Sequence, residues 1–82
     1  MSSAPKEQLL ARLPEASWAH IHRVSMDTPT RVRLLGMGIG VGTHVEVLRN
    51  RGGDIVIAAG NNRISLGRSI TEHIVVHQEQ AA

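Results

Sequence analysis

The stretch from Thr43 to Gly67 constrains the fold of this chain most. It reads "THVEVLRN", then "RGGD" at 51–54, "IVIAA", "GNN" at 60–62 and "RISLG". Val45 and Val47 alternate with His44 and Glu46, and Ile64 and Leu66 alternate with Arg63 and Ser65. A period of two places one set on each face of a strand. Gly52 and Gly53 can take the positive φ that a tight hairpin demands, and "GNN" is again rich in residues that tolerate the left-handed region. "IVIAA" carries more apolar content than a half-exposed strand needs. The segment therefore predicts three short antiparallel strands joined by tight turns.

The flanking segments extend this pattern. Lys6 to Leu13 places Leu9, Leu10 and Leu13 at i, i+1 and i+4, which predicts a short N-terminal helix closed by Pro14. "SWAHIHRVSM", Ser17 to Met26, is a strand in which Val24 falls out of phase with Ala19 and Ile21, and one bulge near His22–Arg23 restores the register. A helix follows, with Asp27 or Thr28 as N-cap, Pro29 at the first helical position and Gly36 or Gly38 at its end. Val32, Leu35, Met37 and Ile39 supply its apolar side. Ser69-Ile70-Thr71-Glu72 has the pattern of a capping box for a single helical turn, and "HIVVH" closes the chain as a strand. The order predicts a mainly β domain, a small closed or nearly closed five-stranded barrel with a short helix between strands one and two. Ala19, Ile21, Val24, Leu35, Ile39, Val45, Val47, Ile57, Ile64, Leu66, Ile74 and Val76 are its predicted core. The domain spans 6–77, with 1–5 a disordered N-terminus and 78–82 a C-terminal tail.

Eighty-two residues suffice for one compact domain, and 41% hydrophobic content is too high for disorder. With Trp18 the only aromatic residue, the core is aliphatic. There is no cysteine, which excludes a disulfide scaffold, a thiolate metal site and a cysteine nucleophile. Lys6, Glu7 and Arg12 interrupt any secretory signal, and no run approaches the ~18 apolar residues of a membrane span. A cytoplasmic protein without membrane insertion is expected. The net charge is +2 although the pI is about 10.5, because without Tyr or Cys little titrates between neutrality and high pH. Seven arginines from Arg23 to Arg68 face only Asp27, Glu46 and Asp54, a bias that suits an acidic partner or a merely solvated surface.

Glycine occupies every second position from Gly36 to Gly42 in "GMGIGVG". A dinucleotide loop needs G-x-G-x-x-G between a strand and a following helix, and a P-loop needs G-K-S/T. Here the spacing fails, no lysine follows and the order is helix then strand. A phosphate-cradling glycine loop is therefore set aside.

"RVRLLGMGIGVGTHVEVL … DIVIAAGNNRISLGRSITEHIVV" resembles the FeoA domain, an SH3-like barrel, over about residues 13 to 76. The most specific parts are Arg33-Leu34-Leu35, Met37-Gly38-Ile39, Gly42-Thr43 and Glu72-His73-Ile74. Two departures stand out: Gly40-Val41 replaces the usual Thr-Pro, and Ile70 or Thr71 replaces the usual Ala of the last helical turn. The resemblance implies a small cytoplasmic accessory protein of bacterial ferrous iron uptake whose partner is FeoB, the membrane transporter. It brings no catalytic residue and no obligatory cofactor. In that fold Gly38 ends the helix in the left-handed region and Gly42 turns the chain into the next strand, whereas Gly36 and Gly40 are not required.

Several residues could carry function. His20 and His22 share a strand face, His73 and His77 are four apart, and His44 opens a strand. Imidazoles so spaced can bind Zn²⁺ or a similar ion, but a stable site needs a third ligand such as Asp27, Glu46, Glu72 or a histidine of a second molecule. No cofactor is expected beyond an adventitious divalent metal. No G-x-S-x-G elbow or tuned carboxylate pair is present, so no enzyme is expected. Nucleic-acid binding through Arg49 and Arg51 is the alternative reading, together with a metal-binding regulatory module. One aromatic residue is too few for base stacking, so no nucleic acid is expected. Trp18 is out of phase with Ala19 and Ile21, and either covers Leu9 or Leu13 or anchors an interface. A helix needs one apolar side to cover a barrel, and Val32, Leu35 and Ile39 supply it. Leu34, Met37 and Val41, flanked by Arg31 and Arg33, are then left as a partner-binding surface, or fold back over an open barrel end. A weak homo-oligomer is compatible with such a surface.

Overall fold

The computed structural model describes residues 6–79, so the N-terminal segment 1–5 and the last three residues lie outside it. Six strands and two short helices follow one another: β1 (Lys6–Leu9), a 3₁₀ turn (Leu10–Arg12), β2 (Trp18–Val24), α1 (Thr28–Gly36), β3 (His44–Arg51), β4 (Asp54–Ala59), β5 (Asn62–Leu66), α2 (Arg68–Thr71) and β6 (Ile74–Gln78). All pairings are antiparallel, in the spatial order β1-β6-β2-β3-β4-β5. The mainly β expectation holds, but the sheet has six strands and stays open between β1 and β5, rather than closing with five.

The additional strand lies where an N-terminal helix was expected. Lys6–Leu9 pairs with β6, Glu7 opposite His77 and Leu9 opposite Val75. A helix of seven or eight residues is not stable alone, whereas the edge of β6 offers ready hydrogen-bond partners. The leucine pattern still registers: the 3₁₀ turn drives Leu10 and Leu13 fully into the core. Asn50 holds this linker in place. Its Nδ2 donates to Ala11 O (3.1 Å) and Leu13 O (2.7 Å), and its Oδ1 accepts from Gly53 N–H (2.9 Å).

The meander is as predicted. Gly52 and Gly53 turn β3 into β4 with φ of 62° and 102°, and Gly60 turns β4 into β5 with φ of 60°. Inward-facing Val45, Val47, Ile55, Ile57, Ala59, Ile64 and Leu66 join Ala19, Ile21, Val24, Ile39, Ile74 and Val76 in one core cluster. The bulge in β2 falls where the phase of Val24 required it: Ile21 pairs with Val76 and Arg23 with Val75, leaving His22 unpaired between them. β6 runs to Gln78, and Glu79 N–H still donates to Trp18 O at 2.8 Å.

α1 departs from expectation in its orientation. Asp27 is the N-cap, accepting from Thr30 N–H at 3.1 Å. At the other end Gly38 takes φ 89°, Gly38 N–H donates to Leu35 O (2.9 Å) and Ile39 N–H donates to Leu34 O (2.8 Å). These two bonds form a Schellman motif, which brings the residue after the glycine against the residue five before it. Ile39 and Leu34 are that pair, and both belong to the core. Leu34 is therefore 3% exposed, and Leu35, assigned to the core from the sequence, is 61% exposed. α2 differs too. Its N-cap is Gly67, with no side-chain cap, and Ser69 lies inside the helix rather than capping it. Asp54 of the β3–β4 hairpin accepts from Arg68 N–H at 2.9 Å instead.

Candidate functional site

Two surfaces bring the sequence-predicted residues together. The first is the outer side of α1 and the corner after it. Val32, Leu35 and Val41 are exposed at 59, 61 and 74%, and Met37 is exposed beside them. Val32, Leu35 and Val41, with Val24 and Ile39, form an apolar groove between α1 and β2, with Arg31, Arg23 and His22 among its lining; Met37 lies outside that lining. Of Leu34, Met37, Val41, Arg31 and Arg33, the residues expected to meet a partner, one is not at the surface. Leu34 is core, and Val32 and Leu35 take its place on the surface; Arg31 and Arg33 are solvent-exposed as expected.

The corner is rigidly built. Gly42, at φ 90°, donates its N–H to Ile21 O at 2.7 Å, and Ile21 N–H donates to Thr43 O at 2.9 Å. Thr43 Oγ1 accepts from Gly40 N–H at 3.2 Å. A Cβ at Gly40 would lie 2.5 Å from Leu35 Cδ2, the free end of an exposed side chain that can turn aside, so no rigid neighbour requires a glycine there. A Cβ at Gly36 would meet open space.

The second surface is the outer face of the sheet. The pairings Glu7↔His77, His77↔His20 and His20↔His44 run as one row across β1, β6, β2 and β3. His22, the bulged residue, stacks on His77 with ring centroids 4.0 Å apart, and His20 meets His77 edge-on at 5.3 Å. Four of the five candidate histidines thus converge. His73 does not, lying beside Glu72 at the end of α2. Glu7 Oε2 is 3.7 Å from His22 Nε2 and 3.8 Å from His77 Nε2, and Glu79 Oε1 is 3.2 Å from His44 Nδ1. None of Asp27, Glu46 and Glu72 takes part in these groups; the carboxylates are Glu7 and Glu79. Glu7 sat in a segment read as helix, and Glu79 in one read as tail. Cross-strand register is what unites them, and that is not written in local spacing. Trp18 lies half-exposed at the rim of the same sheet, out of phase with the core as predicted.

Solved structures of similar shape define the class. The chain matches an iron uptake regulatory protein, FeoA, with a TM-score of 0.84 and 20% identity, covering 90% of this chain and 100% of that one. It also matches Stenotrophomonas maltophilia FeoA, solved as a zinc complex and described as a procaryotic SH3 domain protein. There the TM-score is 0.69, with 26% identity over 89% of this chain and 96% of that one. The fold is SH3-like. By sequence, a Methanocaldococcus jannaschii protein whose name assigns it to Fe(2+) transport as protein A is 27% identical over 71 residues, 87% of each chain. The FeoA domain family model matches residues 8–78, and the chain belongs to that family. Among the described residues no helix is long and apolar enough to cross a membrane.

Proposed function

We propose that this is a small accessory protein of ferrous iron uptake that works by binding rather than by catalysis. Its partner is a FeoB-type membrane transporter, met on the cytoplasmic side, and its docking surface is the groove of α1 and the following corner. The observation that carries the reading is the exposure of four large apolar side chains, Val32, Leu35, Met37 and Val41, on one rigid corner of a protein with so few to spare. An apolar patch edged by arginine has the anatomy of a protein interface, with the apolar centre excluding water and the charged rim selecting the partner. Membership of the FeoA family supports the partner. So does the relative from S. maltophilia, for which a role as a ferrous iron transport activating factor has been suggested.

The test is capture of the transporter's cytoplasmic domain by the purified chain, with and without guanine nucleotide, using wild type and a Leu35→Glu/Val41→Glu variant. Both positions are solvent-exposed, so the variant should melt like wild type. Capture by wild type and its loss in the folded variant are the expected result. Capture by both would move the docking surface elsewhere, and no capture by wild type would remove the partner.

A further inference from the structure

Of the row of imidazoles across the sheet face only His22 also borders the α1 groove, and the geometry of the row differs at its two ends. At one end His44 Nδ1 lies 3.2 Å from Glu79 Oε1, an ion pair whenever the imidazole is protonated, and both His44 and its cross-strand neighbour His20 lack the bulge that aims His22. At the other end Glu7 Oε2 stands 3.7 Å from His22 Nε2 and 3.8 Å from His77 Nε2, beyond hydrogen-bond length from both. Two ligand atoms that share a tetrahedral ion at ~2.1 Å are about 3.4 Å apart. The Glu7 separations exceed that by only a few tenths of an ångström.

We propose that Glu7, His22 and His77 form a binding site for a divalent first-row transition metal ion, with water completing its coordination. The proposal goes beyond the docking function and does not depend on it. Two imidazoles and one carboxylate are a borderline donor set that favours ions from Fe²⁺ to Zn²⁺ over Mg²⁺ or Ca²⁺, which prefer oxygen alone. With neutral imidazoles the three groups carry one negative charge, which a dication more than offsets.

The sheet holds the ligands by three separate devices. Glu7 and His77 are direct cross-strand partners on β1 and β6, so their separation is set by the ladder. His77 is the anchor, its side chain only 16% exposed. His22 is delivered by the β2 bulge, the extra residue between the Ile21 and Arg23 pairings, and bulges re-aim side chains in this way. The rings of His22 and His77 lie 20° from parallel, so ligation requires them to splay about χ2, a soft torsion. His22 and Glu7, with side chains 41 and 54% exposed, have room to make that adjustment.

The test uses the full chain without a histidine tag, titrated with Co²⁺ at neutral pH by visible absorption, and with Zn²⁺ while the imidazole nitrogens are followed by NMR. The expected result is one equivalent bound with a Kd tighter than about 100 µM, with the His22 and His77 resonances displaced. His22→Gln, His77→Gln and Glu7→Gln should each weaken binding at least about tenfold, and His73→Gln should leave it unchanged. Thermal melting separates ligand loss from misfolding. Should His77→Gln fail to fold, the exposed His22 and Glu7 variants carry the test alone. Binding weaker than about 100 µM overturns the site. So does binding that survives His22→Gln and Glu7→Gln, or that is lost instead with His44→Gln.

Discussion

Leu34 and Leu35 are adjacent and chemically identical, yet one is 3% and the other 61% exposed. The left-handed Gly38 decides which, because the Schellman closure pairs Ile39 with Leu34. Leu34→Ala should therefore cost about 2–4 kcal/mol, lost burial plus a cavity, whereas Leu35→Ala should stay within about 0.5 kcal/mol. Urea denaturation of the two variants checks this, and a larger effect at Leu35 would reverse the assignment. Asp27 acts at the same scale. The Thr30 hydroxyl and backbone N–H, with smaller help from Arg33 and Arg31, hold its carboxyl below the usual carboxylate range. A depressed carboxylate contributes stability above its unfolded value, and that contribution is lost as pH falls through its folded value. Asp27→Ala should accordingly melt below wild type at neutral pH, with the gap narrowing as the solution is acidified below the ordinary aspartate range. A gap that persists in acid would show that the carboxylate charge is not what caps α1.

At the scale of elements, the chain's ends and linkers are tied to its hairpins. Asn50, in β3, reaches back to the carbonyls of Ala11 and Leu13 and also closes the β3–β4 turn at Gly53. Gly53 O in turn accepts from the buried Thr71 hydroxyl of α2 at 2.5 Å. One hairpin thus fixes both the β1 linker and the last helix. Asn50→Ala should destabilise by about 1–3 kcal/mol, since it strands half-buried carbonyls without a donor. It should also accelerate amide exchange in β1 before the meander, and uniform exchange would deny the clasp its local role. The helix expected at Lys6–Leu13 shows the limit of reading short segments. Of the three leucines on its expected apolar side, Leu10 and Leu13 are buried and Leu9 is half-buried, but over so few residues a β edge stabilises the backbone better than an isolated helical turn does.

At the scale of the molecule, nine residues of α1 and four of α2 stand against six strands, so far-UV circular dichroism should be of β type. A helix-dominated spectrum would overturn the fold. The sequence by itself determined most of the core, though Leu10, Leu13, Leu34, Ile55 and Ala59 stood outside the predicted set, and it determined the meander, both of its tight turns, the β2 bulge and the left-handed Gly38. Each of these is a local matter, either alternation over a few residues or a backbone conformation that glycine alone takes without strain. It also carried enough of the FeoA pattern to name the family. The tertiary structure decided what depends on distant partners: β1 as a strand, the open six-stranded order, and which face of α1 points inward. It also decided which histidines meet. His20, His22, His44 and His77 are scattered over 58 positions, and only the register of four adjacent strands sets them beside Glu7 and Glu79. Local spacing specifies a strand's faces, but its neighbours are chosen by the burial and pairing of the whole sheet.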